Sequence, residues 1–105
     1  MPIYADGSAA PVTASMAGRV VSVTSSVIAP VNLERRNLSI YNEGPEAVYV
    51  AFGLTAMTTE YTAVIPAGGY MEVPVTYSNN RARPYAGNVS AVTAADTATI
   101  MVTEF

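Results

Sequence analysis

Few side chains in this chain are suited to acid–base or nucleophilic chemistry. Histidine, cysteine and lysine are absent from its 105 residues, so the usual proton shuttle, the thiol nucleophile and the Schiff-base amine are missing. The eight Asp and Glu residues are the remaining candidates, since two carboxylates suffice for a glycosidase. Nearly all of them fall in expected turns or beside strand ends, where a solvated charge is the ordinary role. We therefore expect no enzymatic activity.

The sequence does not indicate a metal or cofactor site. A calcium loop places acidic residues two positions apart around a glycine, whereas Asp6 and Asp96 each stand alone. Without Cys or His, the chain also has neither a thiolate nor an imidazole ligand for a transition metal. We expect no cofactor.

Arginine and tyrosine are the residues best suited to contact another macromolecule. Arginine pairs with carboxylates through two donors and is enriched at protein interfaces, and tyrosine offers a large contact area with one polar atom. We expect the arginines to meet acidic groups on neighbouring subunits. A solvated surface role remains an open alternative, and nucleic-acid binding is a weaker third option. Three tyrosines in or beside loops are further contact candidates. The candidates are Arg35, Arg36, Arg81, Arg83, Tyr61, Tyr77 and Tyr85.

Length and composition predict one small domain with neither a nucleic-acid-binding nor a membrane-spanning character. Only 12% of the residues are charged and the net charge is −3, so the basic face of a nucleic-acid-binding protein is not expected. No segment offers the ~20 apolar residues of a membrane span, and the first residues lack the basic and apolar regions of a signal peptide. The low charge suits a surface that is partly buried in an assembly, although a compositional bias of the source genome would give the same result.

The hydrophobic pattern predicts an all-β fold. Val, Ile, Thr and Tyr are frequent, and no window shows the apolar stripe of a helix. Seven Pro and seven Gly divide the chain into short pieces. The expected architecture is an antiparallel β-sandwich or jelly roll of about seven to eight short strands. Hairpins are expected over residues 37–52 and 88–104, and residues 75–84 are expected to form a loop.

Alternating apolar residues in the expected strands define a predicted core. One strand is expected to begin at Arg19, with Val21 and Val23 on one face. Burial at Phe52 predicts that Phe52→Ala costs about 3–5 kcal/mol. The predicted core is Val21, Val23, Leu38, Ile40, Val48, Val50, Phe52, Val89, Ile100 and Val102.

The chain is expected to divide into an extended N-terminal arm over residues 1–18 and a β-sandwich domain over residues 19–105. The composition of the arm cannot repay the roughly 1–2 kcal/mol per residue needed to order its backbone. We expect the arm to become ordered on a neighbouring subunit, where it adds a strand to a sheet edge. A leader without function remains the alternative. The apolar anchors of the arm are Ile3, Tyr4, Val12 and Met16.

Four segments carry a resemblance to a known group of proteins. They are Arg-Arg-Asn-Leu-Ser-Ile-Tyr-Asn-Glu-Gly over residues 35–44, Val-Tyr-Val-Ala-Phe-Gly over 48–53, Ala-Gly-Gly-Tyr over 67–70, and Thr-Glu at 103–104. From residue 27 to the C-terminus, the chain resembles small virion proteins of tailed double-stranded DNA bacteriophages. The resemblance implies a β-sandwich or jelly-roll subunit of the particle, most often associated with the head, without enzymatic activity. Residues 1–18 have no counterpart in it.

The resemblance implies a capsid decoration, or cement, protein that binds the outer surface of the head and stabilises it. Its partners would be the major capsid protein or other virion subunits, with neither nucleic acid nor membrane as a partner, and it would form a homo-oligomer on the particle. It would be made in the host cytoplasm without a signal peptide and then join the virion. Two alternatives stay open: a minor head–tail or tail component, and a carbohydrate-binding attachment module, against which the absence of Trp counts.

Overall fold

The computed structural model describes residues 14–73, 75–78 and 81–105, with only the backbone described at 75–78 and 81–83. This part of the chain consists of β-strands, turns and irregular connections, without a helix. No helix in these ranges is therefore long and apolar enough to cross a membrane. The strands are β1 (Ser15–Val21), β2 (Ser26–Ala29), β3 (Leu38–Pro45), β4 (Val48–Phe52), β5 (Ala63–Ile65), β6 (Tyr70–Glu72), β7 (Val75–Ser78), β8 (Arg81–Pro84), β9 (Val89–Val92) and β10 (Ala98–Glu104).

Eight of these strands form two antiparallel four-stranded sheets. Sheet A has the strand order β1-β10-β3-β6, and sheet B has the order β2-β9-β4-β5. Strands β7 and β8 form a separate two-stranded ribbon, so residues 75–84 are not the loop that the sequence suggests. The prediction of an all-β sandwich is confirmed.

The core lies between the two sheets and is built from alternate residues of each. Ile40 and Ile100 of sheet A belong to the same buried cluster as Val50 and Val89 of sheet B. All four side chains are fully buried, as the period of two along a strand requires for one inward face. The inward positions that were predicted are confirmed at Val21, Leu38, Ile40, Val48, Val50, Val89, Ile100 and Val102.

Two residues of the predicted core, Val23 and Phe52, are not fully buried. Val23 is 59% exposed, because β1 ends at Val21 and the chain bends at Val23 and Thr24, where the Thr24 amide donates to Ser22 Oγ. Phe52 is half-buried and packs against the rim of the core. Its truncation should therefore cost less than the value expected for a fully buried ring.

Neither of the two predicted hairpins forms. Strand β3 pairs with β10 and β6, whereas β4 pairs with β9 and β5, so the chain crosses from sheet A to sheet B after Pro45. The connection from β9 to β10 crosses between the sheets in the same way. Each of these strands directs one face into the shared core, as the strands of a hairpin on a sheet also do, so the sequence pattern does not distinguish the two arrangements.

The crossing after β3 is held by the buried side chain of Asn42. Its Nδ2 donates to the carbonyls of Glu46 at 2.8 Å and Ile65 at 2.9 Å, and its Oδ1 accepts from the amide of Gly44 at 2.8 Å. Gly44 has a φ of +89° and precedes a cis proline. Gly44 therefore has the left-handed backbone that glycine favours, whereas Asn42 stays within β3 and bridges the turn through its side chain.

The first strand begins earlier than predicted. Ser15 pairs with Glu104 and Gly18 pairs with Met101, so the last residues of the predicted arm belong to sheet A. The sequence predicts that this strand begins at Arg19, whereas β1 begins four positions earlier, at Ser15. The arm residues Ile3, Tyr4 and Val12 lie outside the described residues.

Candidate interaction surface

The outer face of sheet B is covered by the chain itself. Ala51 and Val92 point away from the core, yet both are buried in a second small cluster with Ala56 of the 53–62 loop. The Ala56 amide donates to Ser25 Oγ at 2.8 Å, which ties this loop across the sheet to the start of β2. Tyr49 packs against the same cluster. Much of this face is therefore closed by the chain's own residues.

The outer face of sheet A carries exposed apolar and aromatic side chains. The strand register aligns Gly18, Met101, Tyr41 and Tyr70 in one row across all four strands. Met16 and Val20 flank this row on β1, and they are 70% and 67% exposed. Tyr70 is 60% exposed and Tyr41 44%. We call this surface the open face and define it by Met16, Gly18, Val20, Tyr41, Tyr70 and Met101.

A carboxylate at the rim of the open face controls the acidity of one of its tyrosines. The Tyr70 hydroxyl donates a hydrogen bond of 2.5 Å to Glu72 Oε1. This bond, together with the negative charge of Glu72, raises the pKa of Tyr70 above 10, because both favour the protonated phenol. The Tyr70 phenol is therefore less acidic than that of an ordinary tyrosine.

Glu72→Gln is expected to lower the pKa of Tyr70 toward its ordinary value near 10, because the amide cannot repel the phenolate. An NMR titration of the Tyr70 ring would measure this change in wild type and variant. Glu34→Gln is the matched control, since Glu34 is an exposed carboxylate elsewhere on the surface. Equal Tyr70 pKa values in wild type and Glu72→Gln would contradict the assignment.

Arg35 was predicted to contact neighbouring subunits, and the structure corrects this prediction. Its guanidinium is buried and forms a 2.6 Å ion pair with Glu104. The same group donates to the carbonyls of Tyr85 at 2.9 Å, Gly87 at 3.0 Å and Pro30 at 2.8 Å. Four hydrogen bonds within the chain leave Arg35 a structural residue of the subunit.

Tyr85, another predicted contact residue, is partly buried and has partners within the chain. Its ring stacks on Phe52 with 4.6 Å between the ring centroids and 10° between the planes. Its hydroxyl donates to the Asn88 carbonyl at 2.8 Å. Gly87 allows this arrangement, because a Cβ at position 87 would lie 2.6 Å from the ring carbon Cζ of Tyr85.

The remaining candidates are distributed over different parts of the chain. Met16 lies on the open face, whereas Tyr61 packs edge-on against Tyr49 on the side of sheet B, with 5.1 Å between the ring centroids. Arg36 is partly buried. Tyr77, Arg81 and Arg83 lie on β7 and β8, where their side chains are outside the described residues.

Sequence reasoning missed most of the open face. Alternation along residues 38–41 correctly places Tyr41 outward, but nothing in the sequence shows that Tyr70 and Met101 lie beside it. Those neighbours depend on the strand register, which brings together residues up to 60 positions apart along the chain. The predicted strand from Arg19 already places Val20 on the face opposite to Val21, whereas Met16 and Gly18 join this face only because β1 begins at Ser15.

Comparisons with models of protein families, with curated proteins and with solved structures found no match. In the described ranges, no group of three or more His, Cys, Asp or Glu is placed to hold a metal ion. The open face offers apolar and aromatic contact, with two exposed carboxylates beside it: Glu72 on β6 and Glu43, two positions after Tyr41 on β3.

Proposed function

We propose that this protein is a structural virion subunit: a capsid decoration protein that binds the outer surface of a phage head and stabilises it. The observation that supports the proposal is the difference between the two sheets. The chain's own loop covers much of sheet B, whereas sheet A presents the open face to solvent. Exposed apolar patches of this kind mark interaction sites. The choice of a phage head rests on the resemblance of residues 27–105.

The open face is suited to a flat contact with another protein. Met101 and Tyr41 are directly opposite each other on adjacent central strands, and Tyr70 follows on the next strand. Tyrosine rings supply large contact areas at a small cost in side-chain entropy. A subunit that binds only the assembled lattice stabilises that lattice by mass action. The major capsid protein is the proposed partner.

The copy number in purified particles tests this proposal. Gel densitometry on particles produced from the genome that encodes the chain should give hundreds of copies. A few dozen copies or fewer would favour a head–tail or tail component. Absence of the protein from the particles would overturn the assignment to the virion.

Binding to particles that lack the protein tests the proposed contact surface. Tyr41→Ser combined with Met101→Ser should weaken binding by about tenfold or more, because truncated aromatic anchors dominate interface energies. The control is Tyr61→Ser combined with Val64→Ser, which removes a similar exposed area on the side of sheet B. Equal binding by the two double variants, with both melting like wild type, would show that the open face is not the contact.

A carbohydrate-binding module is the second candidate, favoured by one observation. Tyr41 and Tyr70 are paired across adjacent strands, and both are exposed on a sheet face, where sugar rings could stack on them. Screening the protein against an array of bacterial surface glycans separates the two functions. A decoration protein should bind none of them, whereas glycan binding that Tyr41→Ser abolishes would favour the attachment module.

A further inference from the structure

Strand β1 is an unusually long sheet edge for this small fold. It pairs with β10 over all seven of its residues without a register shift. The other three edge strands of the sandwich are shorter: β2 has four residues and an irregular register, and β5 and β6 have three each. Short edges, bulges, charges and prolines are the usual protection against pairing with another chain. Of these, β1 has only the charge of Arg19.

The outer side of β1 has no hydrogen-bond partner among the described residues. Outside the strand ladders, none of the backbone hydrogen bonds in these ranges involves Ser15–Val21. In an antiparallel edge strand, every second residue directs its N–H and C=O groups away from its neighbour. These groups can bind either water or another strand.

We infer that β1 pairs with β1 of a second copy of this chain, antiparallel across a two-fold axis. The register that pairs all seven residues of β1 is centred on Gly18. In this register, Met16 lies opposite the partner's Val20, and Ala17 lies opposite the partner's Arg19. The two Arg19 charges therefore do not face each other. This inference does not depend on the proposed function.

Self-complementarity is the reason for choosing a second copy as the occupant. An isologous contact needs an edge that matches itself, and β1 matches itself in length and in the pairing of Met16 with Val20. The two Arg19 residues are diagonal neighbours, each directly opposite an alanine. Gly18 lies on the axis, and because it has no side chain, no side-chain contact constrains the approach of the two strands at that position. A two-fold axis perpendicular to the sheet also places both open faces on the same side of the joined sheet.

Sedimentation equilibrium on the full chain, from micromolar to millimolar concentration, should show a monomer–dimer equilibrium. Met16→Lys with Val20→Lys should raise the dissociation constant by about tenfold or more, because each lysine then faces a lysine of the partner. Met16→Lys with Val20→Glu should restore dimerisation, because each lysine then faces a glutamate. Both positions are exposed in the single chain, so melting temperatures should stay close to wild type.

Leu33→Lys with Leu54→Lys is the control for added charge, because both residues are exposed and lie outside β1. It should dimerise like wild type. Hydrogen exchange should show protection of alternate β1 amides that increases with protein concentration. A monomer at every concentration would overturn the inference, and so would equal dissociation constants for the lysine–lysine and lysine–glutamate variants.

Discussion

Arg35→Met is expected to destabilise the protein by about 3 kcal/mol, the low end of the range for breaking a buried ion pair by removing one partner, because the Glu104 side chain that stays behind is 24% exposed. The guanidinium joins β10 of sheet A, through Glu104, to the end of β2 in sheet B, through the Pro30 carbonyl. It also holds the segment between β8 and β9, through the carbonyls of Tyr85 and Gly87. Methionine fills a similar volume but leaves the carboxylate and three carbonyls without their donor.

Urea unfolding followed by far-ultraviolet circular dichroism would measure this loss. Arg35→Lys should fall between wild type and Arg35→Met, because the ammonium keeps the charge but cannot reproduce the planar fork of donors. Arg19→Met is the control, since Arg19 is exposed on β1 and should change stability by no more than about 0.5 kcal/mol. If Arg35→Met were as stable as Arg19→Met, the buried network would not support the fold.

Ile40→Ala is expected to cost about 2–5 kcal/mol, as large-to-small substitutions in a packed core do. Ile40 is fully buried on β3, between Val102 of β10 and Met71 of β6. The cavity that alanine would leave lies in the core between the two sheets, because Ile40 belongs to the buried cluster that both sheets share. Thermal and urea unfolding of the isolated protein would give the value.

The neighbouring residue supplies the matched control for the core prediction. Tyr41→Ala removes a larger side chain from the same strand, but from the open face, and should cost much less than Ile40→Ala. The reverse order would mean that the two faces of β3 are exchanged. The same Tyr41 variant should weaken particle binding. Ile40→Ala should therefore mainly lower stability, whereas Tyr41→Ala should mainly lower binding.

Alternation along single strands made much of the core predictable. Leu38 and Ile40 on β3, and Ile100 and Val102 on β10, are inward because successive side chains of a strand point to opposite faces. This property belongs to the strand itself and needs no knowledge of its neighbours. The all-β class followed from the same local signals.

Strand pairing could not be predicted in this way. The alternation of β3 and β4 is the same whether they are hydrogen-bonded neighbours or face each other across the core, and the structure shows the second arrangement. The two arrangements differ in the turn after β3, where the chain passes from sheet A to sheet B beside Asn42 and Gly44. Asn42 also bonds to distant residues, through its side chain to Ile65 and through its backbone to Gly68 and Gly69, and local propensity does not reveal these bonds.

The same distinction applies to the candidate interaction surface: some of its features follow from single strands, and others follow only from the pairing of strands. By itself, the sequence determined the fold class, eight inward residues of the core and the outward position of Tyr41, because these depend on local periodicity. Only the tertiary structure decided that Arg35 is internal, because its burial depends on Glu104 and three carbonyls that folding brings to it. It also decided the open face, because register sets which outward residues of different strands become neighbours. Local physical chemistry acts within a strand, whereas contacts between strands exist only after the chain has closed on itself.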